Sequence, residues 1–248
     1  MKKEAYGRIV FGASAVLLGV IALMWYDADT WQTMARIWKL PLGMAIGGCL
    51  MAAQIAGGLG IQHPKTAHLA STVLAIVYLL FSFACVPGIV HSPGVYAAYG
   101  SFFEQFAALS GAIALYAATE TNASRAKTFG RAARLGMGAS ATSFTLSQII
   151  YFGVTADLVP KWIPPNHSFW TTLTTIAFGL AAISLLINRK TRLAAQLLTL
   201  MLAMFGILVW IPRLIAHPEA HFNWSECALT FLITGAVWVV SDLPSEIR

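Results

Sequence analysis

Runs of roughly 17 to 21 mostly apolar residues recur eight times along the chain, each long enough at about 1.5 Å per residue to cross a hydrocarbon layer of about 30 Å. They cover Ile9 to Trp25, Leu42 to Ile61, Leu69 to Ile89, Phe102 to Thr119, Leu135 to Gly153, Phe169 to Ile187, Leu193 to Ile211 and Ser225 to Val240. Inside a bilayer every backbone amide must find its partner within the protein, and segments of this length do so as helices. The expected fold class is therefore all-α, a polytopic membrane protein with eight transmembrane helices. The Met1-Lys-Lys start followed by an apolar run imitates a secretory signal. That run ends in Met24-Trp25-Tyr26 without a small-residue cleavage site, so it reads as a retained first helix.

Composition excludes the main soluble alternatives. Hydrophobic residues make up 58% of the chain and charged residues 10%, too little charge to clothe a soluble domain of this size. A net charge of +6 would point to nucleic acid in a soluble protein. Beside membrane spans, basic residues fix orientation instead, and no nucleic-acid partner is expected. The three cysteines, Cys49, Cys85 and Cys227, form no CxxC pair. Neither a dithiol relay nor a four-cysteine metal site can be built from them.

The basic residues are unevenly divided between the two ends of the spans. Twelve fall at the amino terminus, in the loops beginning near Gln62, Thr121 and Asn188, and at the carboxyl terminus; four (Arg36, Lys39, Lys161 and Arg213) fall in the other loops. This bias predicts that both termini are cytoplasmic, in a bacterial inner membrane, and that Lys161 faces outward.

The chain also repeats itself. Gly12-Ala-Ser-Ala15 recurs as Gly138-Ala-Ser-Ala141, with Arg8 and Arg134 at the same distance before each copy. Lys65-Thr66 recurs as Lys190-Thr191, Pro87 as Pro212, and Ile55-Ala56 with Gly58-Leu59 as Ile176-Ala177 with Gly179-Leu180. Four matches in order at nearly one shift indicate a duplication. Four spans return a chain to its starting side, so the copies should be parallel repeats about an axis along the membrane normal. The expected units are 1–121 and 134–248, joined by a cytoplasmic linker at 122–133.

Between the fifth and sixth spans lies the most distinctive local pattern, Leu158-Val-Pro-Lys-Trp-Ile-Pro-Pro165, with Phe169-Trp170 behind it. Prolines bar a helix from continuing here, and Trp162, Phe169 and Trp170 carry rings that settle where a bilayer meets water. The polar Ser140 to Gly153 helix with Gln148 and Tyr151, this loop, the apolar Thr171 to Ile187 and the following Asn188-Arg-Lys-Thr-Arg192 together resemble the DoxX family of small bacterial membrane proteins. The resemblance runs from about Arg134 to Val240, one complete four-helix unit. It implies a subunit of a membrane oxidoreductase system that holds a quinone or anchors a redox partner protein. The first half departs from the pattern, with a longer Asp27 to Leu40 connection and no proline-rich cluster.

Several residues are candidates for chemistry. Glu104 and Glu226 lie near the outer ends of the fourth and eighth spans, where a carboxylate is expensive and therefore functional by default. Ser101 with Glu104, and Asn223 with Glu226, also fit the spacing of a capping box, which would make both acids helix-start residues. His91, His167, His217 and His221 fall on the same side as Tyr96, Tyr99, Trp162, Trp170 and Trp224, and would either ring a cavity for a quinone head group or form an interfacial belt. His217 and His221 are four apart, but Pro218 interrupts the segment, and no metal is expected. The Ser and Thr residues of the fifth span suit helix packing. Gln148, Tyr151, Lys161, Trp162 and Trp170, with Glu226 and Glu104, make up the expected ligand site. No phosphate loop, dinucleotide turn, HExxH or paired mid-span histidines are found. A non-enzymatic transporter or assembly factor built on the duplicated bundle is the alternative reading, which the duplication itself favours.

Overall fold

The structure, a computed structural model, describes residues 5–247. Lys2, Lys3 and Arg248, counted above for orientation, lie outside the described residues. All regular secondary structure among the described residues is helical. In chain order the helices are α1 (Ala5–Trp25), the short α2 (Ala28–Trp31) leading into a 3-10 segment (Gln32–Lys39), α3 (Gly43–Gly60), α4 (Ala67–His91) and α5 (Tyr96–Thr119). They continue with α6 (Ala123–Ile150), the short α7 (Phe152–Leu158), α8 (His167–Leu186), and α9 (Thr191–Phe205), which runs through a π turn (Gly206–Trp210) into α10 (Ile211–Ala216). The last is α11 (His221–Asp242).

Each predicted apolar run coincides with one long helix, except that the fifth runs past the end of α6 at Ile150 into α7. Six of these are long and apolar enough to cross a membrane: α1, α3, α4, α8, α9 through α10, and α11. The other two are less apolar for visible reasons. Helix α5 carries Glu104 and Gln105, and α6 opens on Arg125, Lys127, Arg131 and Arg134. Segment 122–133, expected as a linker, is helical and forms the first turns of α6, started by Asn122, whose side chain accepts from Arg125 N.

Exposed apolar residues form stripes along the peripheral helices. On α8 they are Leu173, Ile176, Leu180 and Ile183; on α9 and its continuation, Leu193, Leu197, Leu200, Met204, Ile207, Ile211 and Ile215. This three-and-four spacing turns one hydrophobic face outward along the full length of each helix, an arrangement that suits lipid and not water. The polar side chains are instead drawn inward. Ser82, Ser110, Thr145, Thr171 and Thr199 donate back to the carbonyl four residues earlier, which satisfies their hydroxyls without water. Arg134 is buried, and its guanidinium donates to the carbonyls of Leu185 and Leu186 at the end of α8, where the helix dipole favours a cation.

Helices α5 and α11 occupy the middle. Helix α5 packs on α4, α6 and α11; α11 packs on α1, α9 and α5. Burial follows this order, with 72% of the apolar window of α11 inside the protein against 28% for α8. Small residues allow the close approach of the central pair. Ala107, Ala108, Ala112 and Ala114 of α5 are fully buried, and a side chain at Gly111 would strike Ala236 of α11.

Candidate functional site

The π turn in the seventh long helix has a local cause. Pro212 has no N–H to give, and its ring would crowd the carbonyl four residues earlier. The helix widens just before it, and Ile211 N–H reaches back to Gly206 O. Gly206 permits this because the Phe231 ring of α11 lies directly against its Cα. The widened turn carries Leu208, Val209 and Trp210 around to face α8, and π turns of this kind recur at functional sites.

Between α8 and this helix lies a cavity of about 570 Å³. Its walls are mostly apolar: Leu173 and Ala177 from α8, and Leu197, Met201, Phe205 and Leu208 from the facing helix; Leu173 and Leu197 also belong to the exposed stripes, so the cavity opens to the apolar surface of the bundle. One end is lined by Leu158 at the end of α7, by Val159, Pro160 and Ile163 of the segment after it, and by Trp170. Trp170 is fixed there because its indole N–H donates to Pro164 O at 2.8 Å, while Asn166 caps α8 by accepting from Phe169 N. The proline-rich loop is thus an ordered wall of the cavity.

Gln148 is the main polar feature of this chamber. It is buried at 8% exposure, and its Oε1 accepts from Thr175 Oγ1 at 2.8 Å and Thr174 Oγ1 at 3.2 Å. Both threonine hydroxyls also lie within hydrogen-bond distance of Thr171 O, so the Gln148 amide is fixed against this point of α8. An apolar chamber with one anchored amide suits a lipophilic molecule that bears a hydrogen-bonding group such as a carbonyl.

The expected site residues are divided between different places. Gln148 and Trp170 line the cavity. Tyr151 stands nearby but turns to α5, its hydroxyl accepting from Ala97 N at 3.0 Å. Lys161 and Trp162 are exposed on the loop, Trp162 at 73%. Glu226 belongs elsewhere: its Oε1 accepts from Gln32 Nε2 at 2.8 Å, and it lies within electrostatic reach of Glu104. The capping-box reading of both acids is corrected by the helix starts. Helix α5 begins at Tyr96 and α11 at His221, so Glu104 sits about 12 Å along its helix and Glu226 about 7 Å along its own, past the first turn.

Of the four candidate histidines, His217 pairs with Glu219, while His221 bonds Asp27 Oδ2 through Nδ1 at 2.5 Å and stacks on Trp25 with ring centroids 4.1 Å apart. Asp27 also caps α2, accepting from Thr30 N at 2.9 Å. Partial burial would raise the Asp27 carboxyl, but His221 and the Thr30 donors outweigh it and hold the group below the ordinary carboxylate value. This pair fastens the α1–α2 connection to the start of α11. Asp27, Gln32, Thr174 and Thr175 were not singled out from sequence. Only Gln32 had a visible signal, as an uncharged polar residue in an otherwise unexplained long connection.

No family model matches the chain, and no curated protein or solved structure matches it.

Proposed function

We propose that the protein is a bacterial inner-membrane protein that holds a lipophilic, carbonyl-bearing molecule of the quinone class between α8 and α9–α10, as a ligand-holding subunit of a membrane oxidoreductase system. The observation that carries this reading is the apolar cavity of about 570 Å³ with Gln148 anchored in its wall. Its apolar lining accepts a ring and tail, and the Gln148 amide donates to a ring carbonyl. The likeness to the DoxX family supplies the oxidoreductase setting, in which a partner protein carries the redox centre.

The same reading treats the chain as two four-helix units. The packing supports it: α1, α3, α4 and α5 contact one another in series, α6, α8, α9 and α11 do the same, and the last helix of each series packs on the first of the other. Pro87 lies within the third helix of the first series, which continues through it, and Pro212 lies in that of the second, just after the π turn. Among the described residues only the second unit has the proline-rich wall and the π turn, so the reading has one ligand per chain.

The experiment is binding of a short-chain quinone to the purified protein in lipid nanodiscs, with three variants. Gln148→Leu removes the donor and should weaken affinity by about 3–10-fold, the worth of one buried hydrogen bond. Ala177→Trp projects an indole into the chamber beside Gln148 and should weaken saturable binding. Glu226→Gln lies outside the cavity and should leave affinity unchanged. Equal affinity in all three variants and the wild type would remove the cavity from consideration.

A further inference from the structure

At the end of α8 remote from the proline-rich loop, about 30 Å along the helix, the chain turns through Asn188-Arg-Lys190 into α9. Backbone bonds hold this turn: Ile187 N–H donates to Ile183 O at 2.9 Å, Arg189 N–H to Ser184 O at 3.0 Å, and Ala194 N–H to Lys190 O at 3.0 Å. Asn188 and Lys190 take the left-handed conformation, with φ of 56° and 52°. Arg189, Lys190 and Arg192 are thereby set out close together, all exposed. Helix α6 brings two more cations to the same corner. Gly138 lies against Leu185 and Leu186, and Arg134, one turn earlier, donates to the carbonyls of those two residues. Arg131, nearly a turn before that, is exposed and within electrostatic reach of Arg134.

No group among the described residues neutralises this corner. Arg134 is only 4% exposed, its Nε has no hydrogen-bond partner there, and no carboxylate pairs with it. The carbonyls ending α8 supply about half an elementary charge, against a full charge on each of Arg131, Arg134, Arg189, Lys190 and Arg192. The start of α9 adds to the imbalance. Lys190 gives it no side-chain cap, and its first turn holds Arg192 and no acid, although the positive end of the helix dipole disfavours a cation. The acids described at this end of the bundle are bonded elsewhere: Glu120 to Tyr116 and Asn122, Asp242 to Ser241, and Glu246 to Ser245. A buried guanidinium without a counter-charge and an uncapped helix start are each unfavourable, and an anion at this corner relieves both.

The neighbouring surface selects which anion. Ile183, Leu186 and Ile187 of α8 and Leu193 of α9 are exposed and apolar, and none of them lines the cavity. A free phosphate or an acidic protein would use only the charge. A phospholipid uses both features, its phosphate on the basic turn and its acyl chains along the apolar stripes. We infer that the corner between α6, α8 and α9 binds the headgroup of an anionic phospholipid, with Arg189 and Arg192 on its phosphate and Arg131 and Lys190 adding to the attraction. This site is independent of the quinone reading.

The test uses the full chain, purified and delipidated in a neutral detergent. The probes are dioleoyl phosphatidylglycerol, dioleoyl phosphatidylcholine and glycerol phosphate, at constant ionic strength. Phosphatidylglycerol should raise the thermal unfolding midpoint saturably and remain bound in native mass spectrometry. Phosphatidylcholine and glycerol phosphate should do neither at the same concentrations. In Arg189→Gln/Arg192→Gln the half-saturating concentration of phosphatidylglycerol should rise by about tenfold or more, the worth of two cations beside a membrane surface. Lys65→Gln/Arg125→Gln removes equal charge from the same end of the bundle and should bind as the wild type does. All these positions are exposed, which spares the fold, and the mass measurement reads binding even in a variant whose midpoint falls. An equal response to both lipids, a response to glycerol phosphate matching that to phosphatidylglycerol, or no response at all would overturn the inference. So would equal weakening in the two double variants, which is the behaviour of diffuse surface charge without a site.

Discussion

Asp27 and His221 illustrate how a contact between residues distant in sequence fastens two elements together. Their bond closes the connection after α1 onto the first turn of α11, and the Trp25 ring covers the imidazole. Because the folded state holds Asp27 below its ordinary value, that carboxylate contributes stability that is complete above the unfolded value, near 3.8, and lost as pH falls through the lowered folded value. Asp27→Asn should therefore flatten the dependence of unfolding midpoint on pH in the acid range while costing less than about 1 kcal/mol near neutrality, since both partners are about one-third exposed. Parallel acid titrations of variant and wild type would check this, and coincident profiles would show that the pair contributes nothing. Contacts of this sort were not legible in the sequence. Gln32 and Glu226 are 194 positions apart, and nothing local in either stretch announces the other. Gln148 was legible because a glutamine within an apolar run needs a partner in any fold; that Thr174 and Thr175 would supply it depends on how α6 and α8 are turned against each other.

Helices were easier to read than their ends. Hydropathy averaged over about 20 positions is insensitive to any single residue, so each apolar run marks a real helix. The starts of α5 and α11 were set too late because Tyr96, Ala97, Tyr99, His221 and Asn223 are not apolar enough to extend the runs, although the backbone is already helical there. That displacement made Glu104 and Glu226 look like caps. The π turn was hidden for another reason: Pro212 announces a break, but whether it becomes a kink, an end or a widened turn depends on the Phe231 ring against Gly206. The α5–α11 contact depends in the same way on small residues. Gly111→Leu would drive a branched side chain into Ala236 and should destabilise the protein by about 1–3 kcal/mol. Denaturant unfolding of the two proteins in one detergent would measure it, and unchanged stability would mean that the central pair is looser than its alanine-rich faces imply.

Among the described residues the chain is a bundle with lipid-suited stripes on its surface, hydrogen-bonded polar groups inside, and an apolar chamber beside α8, the least buried of the six membrane-length helices. The proposed orientation places the proline-rich loop outside and both ends of the chain in the cytoplasm. Fusions to paired reporters should give periplasmic activity at Pro165 and cytoplasmic activity after Arg248. The same side for both would mean an even number of crossings between Pro165 and Arg248 in place of three, and the reverse pattern would mean an inverted orientation. The chamber between α8 and α9–α10 carries the functional proposal, and photolabelling probes it most directly. A photoreactive quinone analogue, added to the protein in native-like membranes and mapped by peptide mass spectrometry, should label residues between Leu197 and Trp210 together with the α8 segment around Ala177. Excess unlabelled quinone should compete that labelling away, and Gln148→Leu should reduce it. Labelling confined to other helices, or labelling that neither competition nor Gln148→Leu alters, would contradict the assignment of this chamber to a quinone-class ligand.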